Sequence, residues 1–164
     1  MTEADIDAVS ALRVAGWRSA YRGIVPQSHL DAMSAEADAV RRRERFSRPI
    51  PGTTDLVAVD SGVPVGWACL GPCRDQAPRP KTAELYALYV RPDLIGAGIG
   101  HTLLTAAHTH ARAALSTAIT LWVLAANHPA RHFYERAGYR PDGTTQDDVY
   151  DDITLTELRY RAAL

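Results

Sequence analysis

Three alternate glycines, Gly96, Gly98 and Gly100, lie between a predicted strand over residues 85–90 and a predicted helix over residues 99–115. The strand is rich in aromatic and aliphatic side chains, and the helix has an apolar stripe with helical spacing. Alternate glycines keep side chains away from the backbone, so that successive N–H groups can point to one spot at the positive end of a helix. The arrangement predicts an anion site, most often one for a phosphate.

Two other phosphate-binding loops fit this stretch poorly. A dinucleotide-binding loop reads G-x-G-x-x-G and needs an acidic residue at the end of the next strand. Here the spacing is G-x-G-x-G, and the next strand-like run ends at Asn127 without an acid. A nucleotide-triphosphate loop needs a lysine after its glycines, and none follows. The nicotinamide and triphosphatase interpretations are therefore disfavoured.

Two motifs resemble those of the GNAT superfamily of acyl-CoA-dependent N-acetyltransferases. Residues 95–100 resemble its motif A, R/Q-x-x-G-x-G/A, which holds the pyrophosphate of coenzyme A. Residues 127–139, NHPARHFYERAGY, resemble its motif B, N-x-x-A-x-x-F-Y-E-x-x-G-F/Y. The motifs occur in the family's order, and the resemblance runs from about residue 5 to the C-terminus, loosest over residues 30–55. Ile95 stands where the family has Arg or Gln, so we expect weaker coenzyme A binding rather than none.

The resemblance implies one N-acetyltransferase domain over residues 1–164 with the α/β (α+β) GNAT fold. That fold has a central mixed, mostly antiparallel sheet, a parallel βαβ unit at the acyl-CoA site and helices on both faces. The chain starts with a predicted helix over residues 3–20, so we expect that the family's first strand is either missing or has been trimmed from the sequence.

Hydrophobic patterns predict the remaining elements. They are a helix or pair of short helices over residues 29–46, a hairpin over 54–59 and 63–70, a strand over 118–125, a helix over 128–137, a strand from Tyr139 and a last strand over 153–160. Two stretches are predicted to be loops. Residues 71–82 contain three prolines, and residues 142–152 contain five aspartates. The second loop is either a solvated connection or an attractor for a cationic amine.

The resemblance also implies how acetyl-CoA, the acyl donor, is held. The glycine turn cradles the pyrophosphate, and the end of the central strand pairs with the pantetheine arm, with the Val90 N–H facing the thioester oxygen. Asn127 bonds the arm from the other side. The implied donor-binding residues are Leu88, Tyr89, Val90, Ile95, Gly96, Ala97, Gly98, Ile99, Gly100, Asn127, Ala130, Phe133 and Tyr134.

The catalytic residues implied by the resemblance are Tyr134 and Glu84. Tyr134 matches the general acid that protonates the thiolate, and the alternative is a packing tyrosine. Glu84 is our candidate base for the amine, acting through a water, and the alternative is a solvent-exposed charge on an edge strand. Glu84 is also assigned to the acceptor pocket. Glu135 is expected to point away, because its neighbour Tyr134 faces the donor.

The acceptor pocket is further assigned to Trp17 and Tyr21. The segment WRSAYRGIVP, residues 17–26, resembles the linker between the first two helices in a bacterial subgroup of the family, where it lines this pocket. Aromatic rings beside a glycine turn can hold an amine by cation–π contact. The alternative is that both rings, four residues apart on one helix face, pack into the core.

These features predict an N-acetyltransferase that moves an acetyl group directly to a primary amine of a small molecule or peptide. Direct transfer fits because Cys69 and Cys73 lie well before the donor motif, so no nucleophile with an adjacent base is evident. The alternative is a non-catalytic acyl-CoA-binding module or sensor, which Ile95 and the missing strand favour.

Composition excludes several other classes. The net charge of −1 gives no basic domain for nucleic acid, and the run over residues 41–45 is predicted to be a solvated helix face. No apolar run is long enough to span a membrane, so we expect a cytoplasmic protein. The cysteines are predicted to be reduced, and the histidine spacing predicts no metal site. Arginine outnumbers lysine, which suggests a GC-rich bacterial genome, and edge strands of such sheets make a homodimer plausible.

Overall fold

The computed structural model describes residues 1–75 and 81–164. Its helices are α1 (Ile6–Ala20), α2 (Gln27–Ala32), α3 (Ala35–Ser47), α4 (Ile99–Ala113) and α5 (His128–Arg136), and short 3-10 helices cover Glu3–Asp5 and Pro92–Leu94. Its strands are β1 (Thr54–Asp60), β2 (Val63–Pro72), β3 (Thr82–Val90), β4 (Ala118–Leu124), β5 (Arg140–Tyr150) and β6 (Ile153–Ala163).

The strands form one sheet in the order β1-β2-β3-β4-β6-β5. The pair β3–β4 is parallel and is connected through α4, and the other pairs are antiparallel. This confirms the predicted mixed, mostly antiparallel sheet with one βαβ unit. Within the fully described residues 1–75, no strand precedes α1, and the amino group of Met1 donates to the Asp55 carbonyl of edge strand β1 at 3.1 Å.

Helices cover both faces of the sheet. The main core lies on the α4 face, where α4 and α5 pack on the strands. Its largest fully buried members are Leu104, Ile119, Leu121, Tyr139 and Tyr160. On the other face, α1 packs on β2 and β3, and a separate cluster holds Leu30 of α2 against Leu124 and Tyr150. The face of the sheet covered by α1 and α2, called the α1–α2 face below, therefore has hydrophobic clusters separate from the main core.

The arginine run of α3 differs from its prediction at Arg42, which is only 3 % exposed. Its guanidinium lies 4.2 Å from the centre of the Trp67 ring and donates to Asp38 Oδ2 at 3.1 Å. Asp38 and Arg42 are four residues apart and share the inner face of the helix, so each neutralises the other where α3 meets α1. The prediction of a wholly solvated face is wrong at this position.

The predicted acidic loop over residues 142–152 is wrong. Residues up to Tyr150 form β5, and Asp151 and Asp152 are the turn into β6. Aspartate is depleted in strands, but β5 is an edge strand, and charged side chains are tolerated on its exposed side. Pairing with β6 outweighs the local preference. Thr156 of β6 donates to Asp147 at 2.9 Å.

The other predicted loop is shorter than expected. Gly71 and Pro72 belong to β2 and Thr82 to β3, and residues 76–80 lie outside the described residues. Cys69 and Cys73 are free thiols, and burial raises the pKa of Cys69 to about 12. A thiol with so high a pKa is not a nucleophile at neutral pH.

Candidate active site

The sheet opens between β3 and β4. The two strands pair only over Thr82–Glu84 and Ala118–Thr120, after which β3 continues beside β2 and β4 continues beside β6. The register of β2 and β3 shifts between Cys69 and Leu70, so that Tyr86 is an extra residue in β3. Such a bulge bends its strand, and the bend lies where the parallel pair separates.

The open side of β3 presents backbone groups without a strand partner. The Arg91 N–H donates to the Val65 carbonyl at 2.9 Å, which makes these two residues a hydrogen-bonded pair of the antiparallel ladder. Because such pairs alternate along a ladder, Tyr89 also turns its N–H and C=O toward β2. Leu88 and Val90 turn theirs the other way, into the gap. Two of the three predicted pantetheine-pairing residues thus offer backbone groups to the gap, and Tyr89 does not.

The glycine turn lies at the mouth of the same gap. Gly96 and Gly98 have φ values of 93° and 86°, which side-chain-bearing residues rarely adopt, and Gly98 caps α4. Thr102 is bonded to the Gly98 carbonyl at 3.0 Å, so the first N–H groups of α4 have no helical partner. Ala97 instead donates to the Leu94 carbonyl at 3.2 Å, within the turn.

The third glycine, Gly100, does not have the positive φ of the other two. Gly100 has ordinary helical geometry, and a Cβ on it would lie 3.4 Å from Phe133 Cζ. This is an ordinary contact distance, so Gly100 marks the point where the start of α4 lies beside Phe133 of α5. The Ile95 side chain is 67 % exposed beside the turn and adds no polar group there.

The start of α5 closes the gap from the β4 side. Asn127 is buried, and its Oδ1 accepts from the Ala130 N–H at 3.2 Å, which leaves its Nδ2 as a donor. Phe133 and Tyr134 meet edge to face with ring centres 5.0 Å apart. The Glu135 carboxylate accepts from the Tyr160 hydroxyl at 2.6 Å, away from Tyr134 as predicted.

Three tyrosines converge on the gap from three elements. Tyr21 follows α1, Tyr89 lies on β3, and Tyr134 lies on α5. The phenol groups of Tyr21 and Tyr89 interact electrostatically, and burial raises the pKa of both. Burial, followed by the charge of Tyr21, also raises the pKa of Tyr134. All three hydroxyls therefore stay protonated at neutral pH.

Gly16 explains how α1 comes so close to the gap. A Cβ at Gly16 would lie 2.8 Å from Tyr89 Cδ1, so only glycine fits at this crossing. Tyr21 thereby reaches the gap, while Trp17 packs behind it with ring centres 4.5 Å apart. Both rings pack against the buried cluster around Tyr150, which agrees with the packing interpretation, and their assignment to an acceptor pocket stays a prediction.

Glu84 lies where β3 and β4 begin to separate, but its carboxylate is occupied. The side chain is 1 % exposed, and both oxygens accept hydrogen bonds from Arg74. The backbone N–H of Arg74 donates to Oε2 at 2.8 Å and its Nε to Oε1 at 3.0 Å. The alternative of a solvent-exposed charge is therefore wrong. The carboxylate that the sequence suggests as a base is held in an ion pair.

A cavity of about 360 Å³ opens on the α1–α2 face beside this ion pair. It is lined by Arg74, Asp75, Glu84, Trp122 and Gln146. Gln146 also donates to Glu157 Oε2 at 2.6 Å, and burial raises the pKa of Glu157. The sequence analysis missed Gln146 and Glu157, because only the pairing of β5 with β6 and of β6 with β4 places them here.

Within residues 1–75 and 81–164, no three or more His, Cys, Asp or Glu side chains are grouped to hold a metal ion. None of the helices in the described part of the chain is long and apolar enough to cross a membrane.

A sheet split at a parallel pair, with a glycine turn and a helix N-terminus at the split, is an α/β arrangement that can accept an anion at the turn and an extended chain along the open strand edge. Residues 16–139 match the Acetyltransferase (GNAT) family, and the chain belongs to this family.

Individual proteins agree with this assignment. The chain is 30 % identical over 142 residues to a probable N-acetyltransferase of Mycobacterium tuberculosis, covering 86 % of this chain and 78 % of that protein. The PaiA N-acetyltransferase of Thermoplasma acidophilum, solved with coenzyme A, superposes with a TM-score of 0.77 at 19 % identity, covering 100 % and 96 % of the two chains. A ribosomal-protein-alanine N-acetyltransferase from Brucella melitensis gives 0.74 at 24 % identity, covering 100 % and 97 %. These two structures share the fold.

Proposed function

We propose that this protein transfers an acetyl group from acetyl-CoA directly to a primary amine of a small molecule or peptide. The observation that carries the proposal is the gap between β3 and β4, with free backbone groups along one side and a helix N-terminus at its mouth. Membership of the acetyltransferase family and the coenzyme A complex of the Thermoplasma protein support it.

Acetyl-CoA would supply the acetyl thioester, and backbone groups of this chain would bind its pyrophosphate and its pantetheine arm. The N–H groups of Gly96, Gly98 and the first turn of α4 would hold the pyrophosphate, since they lack other partners and lie at the positive helix end. The unpaired groups of Leu88 and Val90 would bond the pantetheine arm as a neighbouring strand would. The Nδ2 of Asn127 would donate from the opposite side.

Three side chains would complete the donor site. The small residues Gly100 and Ala130 would leave space for the donor, and the Phe133 ring would pack against the pantetheine arm. Tyr134 would donate its proton to the leaving thiolate, because its hydroxyl stays protonated and forms no hydrogen bond with another described residue. The Val90 N–H would polarise the thioester carbonyl.

The acceptor amine would enter from the α1–α2 face, over the cavity beside Glu84. Tyr21 would contact it directly and Trp17 would support the Tyr21 ring. The amine must lose a proton before it attacks, and two glutamates border this side, Glu84 and Glu157. Glu84 is the base that the sequence suggests, but Arg74 already binds both of its carboxylate oxygens.

The proposal is tested in two steps. First, thermal unfolding is measured with acetyl-CoA, coenzyme A, NAD and ATP separately. A ligand at about 100 times its dissociation constant adds roughly 2.7 kcal/mol, so stabilisation by the two coenzyme A species alone is expected. Second, thiol release from acetyl-CoA is followed with spermidine, glucosamine, alanine and an alanine-starting tripeptide. Stabilisation by NAD, or by no coenzyme A species, would overturn the donor assignment.

A non-catalytic acyl-CoA-binding module is the second candidate, and the exposed apolar Ile95 beside the turn favours it. Such a module would be stabilised by acetyl-CoA in the first step and release no thiol above background with any amine in the second. Thiol release with one of the four amines would exclude it.

A further inference from the structure

The acceptor side of the gap holds two buried or half-buried glutamates that differ in what already binds them. Glu84 accepts three hydrogen bonds from Arg74 and has a cation as its partner. Glu157 accepts one hydrogen bond, from the neutral amide of Gln146. A base for an ammonium group needs an oxygen that is not already committed to another cation.

We propose that Glu157, rather than Glu84, takes the proton from the acceptor amine, with Gln146 as the residue that positions it. The inference rests on the proposed function, because it concerns the same acetyl transfer. It assigns a catalytic role to a residue that neither family motif contains.

The strand register places Glu157 on the α1–α2 face of the sheet, the side from which the acceptor amine would enter. Glu157 lies directly opposite Leu124 in the antiparallel pair β4–β6, and residues directly opposite share one face of a sheet. Leu124 packs with Val25, Leu30 and Tyr150, which places Glu157 on the α1–α2 side. Leu124 is also the last residue of β4, at the end of the gap.

The hydrogen bond leaves Glu157 a usable oxygen. Gln146 Nε2 donates to Oε2 at 2.6 Å, and Oε1 has no hydrogen-bond partner among the described residues. Gln146 lies opposite Glu157 in the β5–β6 pair and lines the cavity, so the amide that bonds the Glu157 carboxylate is itself at the cavity wall. A neutral donor orients the group without neutralising it.

The surroundings of Glu157 favour its role as a proton acceptor at moderate pH. Burial raises its pKa, the Gln146 bond and the Arg74 charge lower it, and the charges of Asp148 and Glu84 raise it. A raised pKa moves a carboxyl group toward the pH at which it can both accept and release a proton.

Two tyrosine hydroxyl groups, those of Tyr21 and Tyr150, lie within the electrostatic influence of Glu157. Its charge contributes to the raised pKa of Tyr21 and of Tyr150, after burial in both cases. Tyr21 in turn interacts electrostatically with the phenol of Tyr89 on β3. An amine placed against Tyr21 would therefore also be exposed to the charge of the Glu157 carboxylate.

The proton transfers balance as follows. The Glu157 carboxylate takes one proton from R–NH3+ and becomes a carboxylic acid. The neutral nitrogen forms a C–N bond with the thioester carbonyl carbon, and the C–S bond breaks. Tyr134 gives its proton to the thiolate sulfur and regains one from the nitrogen of the new amide. Glu157 then releases its proton to water, so the net products are the amide, the free thiol and one proton.

The test compares Glu157→Gln, Glu84→Gln and Asp147→Asn. Asp147 is an exposed neighbour on the other side of β5 from Gln146, so its variant should match the wild type. For Glu157→Gln we expect kcat to fall by about 10²-fold or more with spermidine, or whichever of the four amines is acetylated, at unchanged KM for acetyl-CoA.

The pH profile separates catalysis from structure. In Glu157→Gln the rate should recover as the pH approaches the pKa of the amine itself, about 10, because free amine then exists in solution. Glu84→Gln should unfold at a lower temperature but keep the acid limb of the wild-type profile. Full activity of Glu157→Gln at pH 7.5, or loss of the acid limb in Glu84→Gln, would overturn the assignment.

A second measurement does not depend on finding the amine. Carboxyl-carbon NMR of glutamate-labelled protein, with Glu157→Gln to assign the signal, should show Glu157 titrating above an ordinary glutamate. A pKa at or below the ordinary value would overturn the inference. A wild type that acetylates none of the four amines would count against the proposed function. The pKa of Glu157 measured by NMR would then still test whether the carboxylate has the raised pKa that a base needs.

Discussion

Arg74 donates hydrogen bonds to both carboxylate oxygens of Glu84, from its backbone N–H and from its guanidinium. The guanidinium also lies 4.4 Å from the centre of the Tyr86 ring, at the strand bulge. The pair therefore fixes the chain after β2 to the point where β3 and β4 separate. We infer that its first role is to stabilise the split in the sheet.

Arg74→Ala should destabilise the protein, because it leaves the carboxylate of Glu84 buried without a cation. Breaking a fully buried pair costs about 3–5 kcal/mol, and we expect about 2–3 kcal/mol here because the Arg74 side chain is itself exposed. Urea unfolding measures the loss. Arg43→Ala is the matched control, since Arg43 pairs with Asp7 at 2.6 Å on the surface and should cost less than about 0.5 kcal/mol. Equal losses in the two variants would contradict the structural role.

Tyr134→Phe should slow acetyl transfer while leaving the donor site intact. Loss of a general acid lowers kcat by about 10²-fold, and the phenyl ring keeps its contacts with Phe133 and Tyr139. Thiol release gives kcat, and the thermal shift with coenzyme A reports binding. A variant with wild-type kcat would show that another group protonates the thiolate.

Gly98→Ala should weaken coenzyme A binding as well as stability. Its φ of 86° costs about 1–2 kcal/mol for a residue with a Cβ, and relaxation of the turn would turn N–H groups away from the pyrophosphate. Gly143 also has a φ of 86° and lies on β5, away from the turn, so Gly143→Ala carries the same strain. Only Gly98→Ala should weaken coenzyme A affinity in calorimetry. A similar loss of affinity in both variants would point to general destabilisation.

Ile95→Arg should tighten coenzyme A binding. The residue is exposed beside the turn, and one added surface charge near a phosphate is worth up to about 1 kcal/mol, or about fivefold in affinity. The gain should vanish at about 1 M salt, where charges are screened beyond roughly 3 Å. Leu115→Arg adds the same charge at an exposed site after α4 and should leave affinity unchanged.

His108 should make the protein less stable in mild acid. Its Nε2 lies 2.8 Å from the Tyr139 hydroxyl, and burial, followed by the charges of Arg112 and His101, lowers its pKa. The unfolded state therefore binds a proton first, so the stabilisation is fully present above about pH 6.5 and is lost as the pH falls. The melting temperature of His108→Gln should drop less than that of the wild type between pH 7.5 and 5.5. Parallel drops would contradict the lowered pKa.

Contiguous stretches of sequence were enough to predict the local parts of the site. The glycine turn and the start of α5 are each read within a dozen residues, because a turn, a cap and a helix depend on neighbours along the chain. The hydrophobic pattern of β3, α4 and β4 likewise predicted a parallel βαβ unit, since burial on two faces leaves few polar positions.

The sequence by itself thus determined the family and the fold class, and it predicted the residues that would hold the donor. Tertiary structure alone decided that Arg74 binds the Glu84 carboxylate and that Arg42 is buried against Trp67. It also decided that the aspartate-rich stretch before Asp151 is the edge strand β5. It also brought Glu157 and Gln146 together on the α1–α2 face of the sheet. These relationships join residues far apart in the chain, and strand register and packing set them, neither of which is encoded in the spacing of neighbouring residues.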